Sequence, residues 1–122
     1  MVLKGLGRHL IVEMWGVDPV LLDDEATLRE LLVEAAKKAG GRVMGVLFHK
    51  FEPQGVTGVV AIAESHISIH TWPEYEYAAM DIFTCGSHVD PWKAFQLSME
   101  RLRPKTVNVF EIKRGIRAGE GF

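Results

Sequence analysis

The period of the hydrophobic positions changes from segment to segment along this chain, and each change marks an element. Residues 9–15 form a short apolar run that reads as a first strand. From Asp23 the pattern turns helical, with Leu28, Leu31, Leu32, Ala35 and Ala39 recurring at helical spacing as one apolar stripe. Asp23, Asp24 and Glu25 suit the positive end of that helix, and Lys37 and Lys38 its negative end. Gly40-Gly41 supplies the left-handed stop. Residues 42–51, 56–63 and 77–84 are strand-like, and the turn Pro53-Gln54-Gly55 makes a hairpin of the first two. Asp90-Pro91 opens a second helix, with a stripe of Ala94, Phe95, Ser98, Met99 and Leu102, which Pro104 ends. Residues 106–112 read as a last strand, and the Gly- and charge-rich tail 113–122 is expected to be mobile. The order β-α-β-β-β-α-β predicts an α+β domain, a largely antiparallel sheet with both helices on one face.

Composition narrows the function. A chain of 122 residues is expected to form one domain, and 48% hydrophobic with 25% charged residues is ordinary for a globular protein. The net charge of −2, without a basic cluster, argues against nucleic acid and against an anionic membrane as partners. No apolar run reaches the roughly 18 residues of a membrane span, and the first residues read as a strand, not as a signal peptide. A single cysteine, Cys85, precludes an internal disulfide and fits a reducing cytoplasm.

Chemistry concentrates in the stretch VVAIAESHISIHTWPEY, where Glu64, Ser65, His66, Ser68 and His70 crowd the end of an apolar run. In a regular strand His66, Ser68 and His70 share one face, opposite Ile67 and Ile69. Ser65 and His70 then point to opposite sides, so direct cooperation between them requires a bend or bulge. Further on, Tyr77, Ala79, Asp81, Phe83 and Cys85 share a face polar enough to line a cleft. The residues alone leave three readings: a polar strand end with a buried thiol, a metal site from His66, His70, Cys85 and His88, or covalent catalysis dividing roles among serine, histidine and cysteine. The metal spacing matches no known knuckle, and no metal is expected. The absence of a Gly-x-Ser-x-Gly elbow argues against a hydrolase triad.

The run GVTGVVAIAESHISIHTWPEYEYAAMDIFTCGSHVDPWKAF, with GLGRHLIVEMWGVDPVLLDD and FHKFEPQGVTG before it, resembles the small prokaryotic S-adenosylmethionine decarboxylase proenzymes. The resemblance extends to about Lys113. It implies a two-layer α/β sandwich and a homodimer with active sites near the subunit interface. It also implies a self-made pyruvoyl cofactor. Ser65 Oγ would attack the Glu64 carbonyl, and elimination would then split the chain into 1–64 (β) and 65–122 (α), the latter capped by the pyruvoyl group. A substrate amine would join that group as a Schiff base and lose CO2.

By the same resemblance His70 is the proton acceptor of processing and Cys85 the proton donor of catalysis. A histidine titrating near about 6.5 and a thiol near about 8.5 suit those tasks. Thr57 stands where many members carry a serine that assists processing. Phe51, Trp72 and Phe83 are candidate contacts for the adenine and sulfonium, with Glu74 for the ribose or adenine edge; Glu13 reads as a surface charge. Two other functions remain open: a pyruvoyl arginine decarboxylase of the same fold, making agmatine, and a regulatory homologue without activity. A guanidinium substrate needs a carboxylate in bidentate reach, for which Asp81 and Glu74 are the acids at hand.

Overall fold

The computed structural model describes residues 5–116. Strand β1 (Gly7–Trp15) leads to a four-residue helix α1 (Pro19–Leu22) and then to α2 (Glu25–Lys38). Strands β2 (Val43–Lys50), β3 (Val56–Ile62), β4 (Ser65–Trp72) and β5 (Tyr77–Cys85) follow, with one turn of 3-10 helix, Pro73–Tyr75, before β5. Helix α3 (Pro91–Leu102) and strand β6 (Thr106–Arg114) complete the domain. The strands make one antiparallel sheet in the order β2-β3-β4-β5-β1-β6.

Capping explains where the helices begin. Asp18 accepts from the Val20 amide at 2.9 Å with Pro19 at the first position, and Asp24 accepts from the Thr27 amide at 3.1 Å. The start expected at Asp23 is therefore corrected. Asp23 lies in the connection and binds the Gly55 amide at 2.8 Å and Lys50 Nζ at 3.1 Å, bonds that hold its carboxyl below the usual carboxylate range. Asp90 caps α3 through the Trp92 amide at 3.0 Å, with Pro91 behind it, as the sequence predicts.

Five strands were expected and six are found among the described residues. The strand predicted over 56–63 stops at Ile62, and residues 65–72 return as a strand of their own after the two-residue turn Ala63-Glu64. That turn has no Gly, Asn or Pro to announce it. Glu64 adopts φ +71° despite its Cβ, a conformation costing about 1–3 kcal/mol. At the other end, Lys113 and Arg114 of the expected mobile tail belong to β6, while residues 117–122 lie outside the described residues.

Helices α2 and α3 cover one face of the sheet. Leu10, Val12 and Met14 of β1, Ile67 and Ile69 of β4, and Met80 and Ile82 of β5 pack there against Leu28, Leu32, Ala35, Ala94 and Leu102. This is the predicted two-layer arrangement. Glu111 pins β6 to it, accepting from Arg8 at 3.0 and 3.3 Å and from Trp92 Nε1 at 2.6 Å, and these bonds depress its carboxyl pKa. No helix among the described residues is long and apolar enough to cross a membrane. The opposite sheet face carries His9, Ile11, Glu13 and Trp15 of β1 and the alternate residues of its neighbours, with no described element over it.

On the helix side, one buried side chain ties the layers together. The Thr71 hydroxyl donates to the Leu22 carbonyl at 2.7 Å and accepts from the Val56 amide at 2.9 Å, joining α1, β3 and β4. Thr71→Val keeps the shape and strands both backbone groups. Urea unfolding should show a loss of about 2–4 kcal/mol, and a loss well under 1 kcal/mol would mean that those groups find other partners.

Candidate active site

The β3–β4 turn presents the Glu64–Ser65 bond in a defined setting. Glu64 carries the strained φ just described, and the Cys85 thiol donates to its carbonyl oxygen at 3.3 Å. Cys85 reaches it because β5 runs antiparallel beside β4 and ends level with the turn, His66 facing Phe83. Ser65 opens β4 with its side chain on the helix face, in series with Ile67 and Ile69. Its Oγ is buried and has no hydrogen-bond partner among the described residues. A polarised carbonyl and an uncommitted hydroxyl thus sit on adjacent residues.

The other candidates gather at the far end of β4. Thr57 and His70 are cross-strand partners, and Thr57 Oγ1 lies 3.1 Å from His70 Nδ1. They line a cleft of about 320 Å³ together with Phe51, Trp72, Glu74 and Gln54. The volume sits at the small end of ligand sites, and its walls combine aromatic faces with a few polar groups. Trp72 is braced from behind by Tyr77, ring centroids 5.2 Å apart, and Tyr77 in turn by Trp15 at 4.4 Å. The Tyr77 hydroxyl donates to Glu13 Oε2 in a short bond. Burial first, and the Glu13 carboxylate second, push the Tyr77 pKa up to about 12, so the hydroxyl stays a donor. Glu13 is therefore not the free surface charge that the sequence suggests.

The bulge that would let Ser65 and His70 cooperate within one chain is absent. Strand β4 pairs with β3 and β5 in unbroken register, so the two side chains lie on opposite faces. Five residues of extended strand also separate them by about 17 Å. Phe83 likewise stands apart from Phe51, Trp72 and Glu74. It lies at the Ser65 end, stacked on His9 at 5.3 Å, with His66 edge-on at 5.7 Å and the Arg114 guanidinium 5.2 Å away. Gly7 makes room for it, since a Cβ there would come 2.5 Å from the ring. Both Asp81 oxygens are engaged, one by His9 Nε2 at 2.9 Å and one by the Ser68 hydroxyl at 3.2 Å. Among the described residues no three His, Cys, Asp or Glu side chains converge as a metal set, and His66 and His70 belong to different ends. Strand parity placed Tyr77 on the cleft face with Asp81 and Cys85 but gave it no task, and Gln54, which lines the cleft, had no signal in the sequence.

Antiparallel sheet, one helical layer and a serine at a strained hairpin define a class of two-layer α+β enzymes, and the comparisons with known proteins identify the family within it. A family model for S-adenosylmethionine decarboxylase matches residues 8–115. The S-adenosylmethionine decarboxylase proenzyme of Clostridium tetani is 49% identical over 93% of this chain and 90% of its own. That of Methanococcus vannielii is 53% identical over 93% of each. The crystal structure of the adenosylmethionine decarboxylase from Aquifex aeolicus VF5 superposes with a TM-score of 0.89 at 38% identity, covering 98% of both chains. The chain belongs to the S-adenosylmethionine decarboxylase family.

The Cys85–Glu64 contact makes a prediction about cleavage. On the self-cleavage that the family resemblance implies, Cys85→Ala removes the thiol donor from the carbonyl and should slow appearance of the two fragments about two- to fivefold, the worth of one weak thiol hydrogen bond. Cys85→Ser keeps a donor in place and should cleave at close to the parent rate. A denaturing-gel time course reads both, and equal rates for Cys85→Ala and the parent would refute the role.

Proposed function

We propose that this chain is a self-processing decarboxylase that converts S-adenosylmethionine to its decarboxylated, aminopropyl-donating form for polyamine synthesis. The observation that carries the processing step is the buried, unpartnered Ser65 hydroxyl beside a Glu64 carbonyl already held by the Cys85 thiol. Oγ bonds to that carbonyl carbon, the C–N bond breaks, and the hydroxyl proton ends on the Ser65 nitrogen, leaving an ester. Removal of the Ser65 α-proton expels the Glu64 carboxylate, and water then releases ammonia. The products are 1–64 and a pyruvoyl-capped 65–122.

The donor set fits such a group: a serine at a strand start, a strained residue before it, a thiol within reach and no metal set competing for them among the described residues. A pyruvoyl group supplies an electron sink for the pair released with CO2. Cys85, at the same end, is suited to return a proton to the substrate α-carbon. His70, ordered by Thr57, is suited to take the proton in processing, with Nε2 free of any partner among the described residues.

Because His70 lies about 17 Å from Ser65 of its own chain, this reading needs a second copy. The uncovered sheet face supports a homodimer. It leaves Leu47 74% and Phe110 60% exposed, with Ile112, Trp15 and Trp72 also open to solvent, far more apolar surface than a solvated sheet face needs. A two-fold axis through that face would bring the Thr57–His70 cleft of one chain to the open side of the other's Ser65–Cys85 end, where Cys85 and the Glu64 carbonyl lie and the Ser65 hydroxyl does not, so the proton within reach of the partner's His70 is the Ser65 α-proton. The cleft walls suit an adenosyl sulfonium, with Phe51 and Trp72 for stacking and cation–π attraction of about 0.5–2 kcal/mol each, and Glu74 for ribose or adenine edges.

Arginine suits the site less well. Asp81, one of the two acids at hand for a guanidinium, has both oxygens committed at the other end, and Glu74 alone remains in the cleft. A regulatory homologue has no use for a thiol aimed at the Glu64 carbonyl. The free cysteine agrees with a cytoplasmic enzyme.

Intact mass under denaturing conditions, followed by CO2 release from each substrate, tests the reading. Two fragments meeting at Glu64–Ser65, with CO2 released from S-adenosylmethionine and not from arginine, are expected. A single uncleaved species, or release from arginine alone, would overturn it.

A further inference from the structure

Among the described residues two buried side-chain oxygens lack any hydrogen-bond partner, Ser65 Oγ and Thr84 Oγ1. Their positions are related. The β4–β5 register pairs Ile67 with Ile82 and His66 with Phe83, and one step further along the same ladder sets Ser65 opposite Thr84. Ile67, Ile69, Met80 and Ile82 all lie on the helix face, so alternation puts Ser65 and Thr84 on that face together. Residues directly opposite in such a ladder bring their Cβ atoms to about 4.5–5.5 Å, from which rotation about χ1 lets two hydroxyls meet. Thr84 is 1% exposed. A buried hydroxyl without a partner is costly, and valine would fill the same space without that cost. Two such oxygens on facing residues of one ladder, one of them the nucleophile of the proposed cleavage, call for a functional reason.

We propose that Thr84 is a positioning residue for self-cleavage, its hydroxyl pairing with Ser65 Oγ across the β4–β5 ladder and turning it toward the Glu64 carbonyl. The proposal rests on the reading of Ser65 as the nucleophile and adds a residue to it. Adjacent residues of β5 then address the two reacting atoms from opposite faces of the sheet: Thr84 holds the attacking oxygen on the helix side, and Cys85 holds the carbonyl oxygen from the open side. Thr84 exchanges no proton in the step. The new bond still runs from Oγ to the Glu64 carbon, the C–N bond still breaks, and the proton still ends on the Ser65 nitrogen. What Thr84 supplies is orientation, the fraction of time that Oγ spends in line with the carbonyl.

The test compares Thr84→Val and Thr84→Ser in the full chain, following fragment formation by denaturing mass spectrometry and stability by thermal unfolding of an uncleavable Ser65→Ala background. Thr84→Val should slow cleavage about five- to tenfold, the effect of one neutral hydrogen bond, while its melting temperature equals or exceeds that of the background. Thr84→Ser should restore the parent rate. Those opposed changes separate positioning from packing. Parent-rate cleavage in Thr84→Val overturns the proposal, as does slowed cleavage that comes with a lower melting temperature and is not rescued by serine. A parent chain that never cleaves defeats the nucleophile reading itself and this proposal with it.

Discussion

The register of β4 against β5 is the constraint on which the site depends. Because His66 faces Phe83, the strand ends place the Glu64 carbonyl beside Cys85 and the Ser65 hydroxyl on the same face as Thr84. A slip of one residue would reverse every side chain and send Ser65 and Cys85 to the wrong faces. The register is held from the helix side by Ile67 against Ile82 and Ile69 against Met80, pairs sealed under α2 and α3. Hydrophobic packing several residues away thus sets the alignment of a polar group at the strand end.

The same regular ladder sets a limit. A strand that stays in register for eight residues cannot fold back to join its own ends, so β4 holds Ser65 at one end and His70, on the other face, at the other. The Thr57–His70 pair, the aromatic walls and Glu74 form one well-made half, braced by the row Trp15–Tyr77–Trp72 and by the Tyr77–Glu13 bond. The hairpin, Cys85 and Phe83 form the other. In the proposed dimer, the apolar, uncovered sheet face between them is where a second copy would bring the halves together.

Much of this was legible in the sequence. The stripe from Leu28 to Ala39 and the Asp90-Pro91 cap were visible because amphipathic spacing and capping are local signals. The α+β class followed from element order. The family motifs singled out Ser65, His70 and Cys85, and strand parity rightly separated Ser65 from His70. What escaped was the strand β4 itself, since its turn is Ala63-Glu64, with a left-handed glutamate where glycine or asparagine would have given notice. Glu13 escaped as well, because its partner lies 64 residues away. Thr84 carries no signal in the sequence. Only the register shows what it faces.

The claim that each site joins two chains is tested most directly by complementation. Ser65→Ala and His70→Ala chains, distinguishable by a mass tag, are co-expressed and their cleavage is followed by denaturing mass spectrometry. Each alone should stay intact. Together, the His70→Ala chain should be cut between Glu64 and Ser65 by the histidine of its partner, and the Ser65→Ala chain should remain whole. Co-purified mixed dimers in which neither chain is cleaved would contradict the shared site and require His70 to act within its own chain.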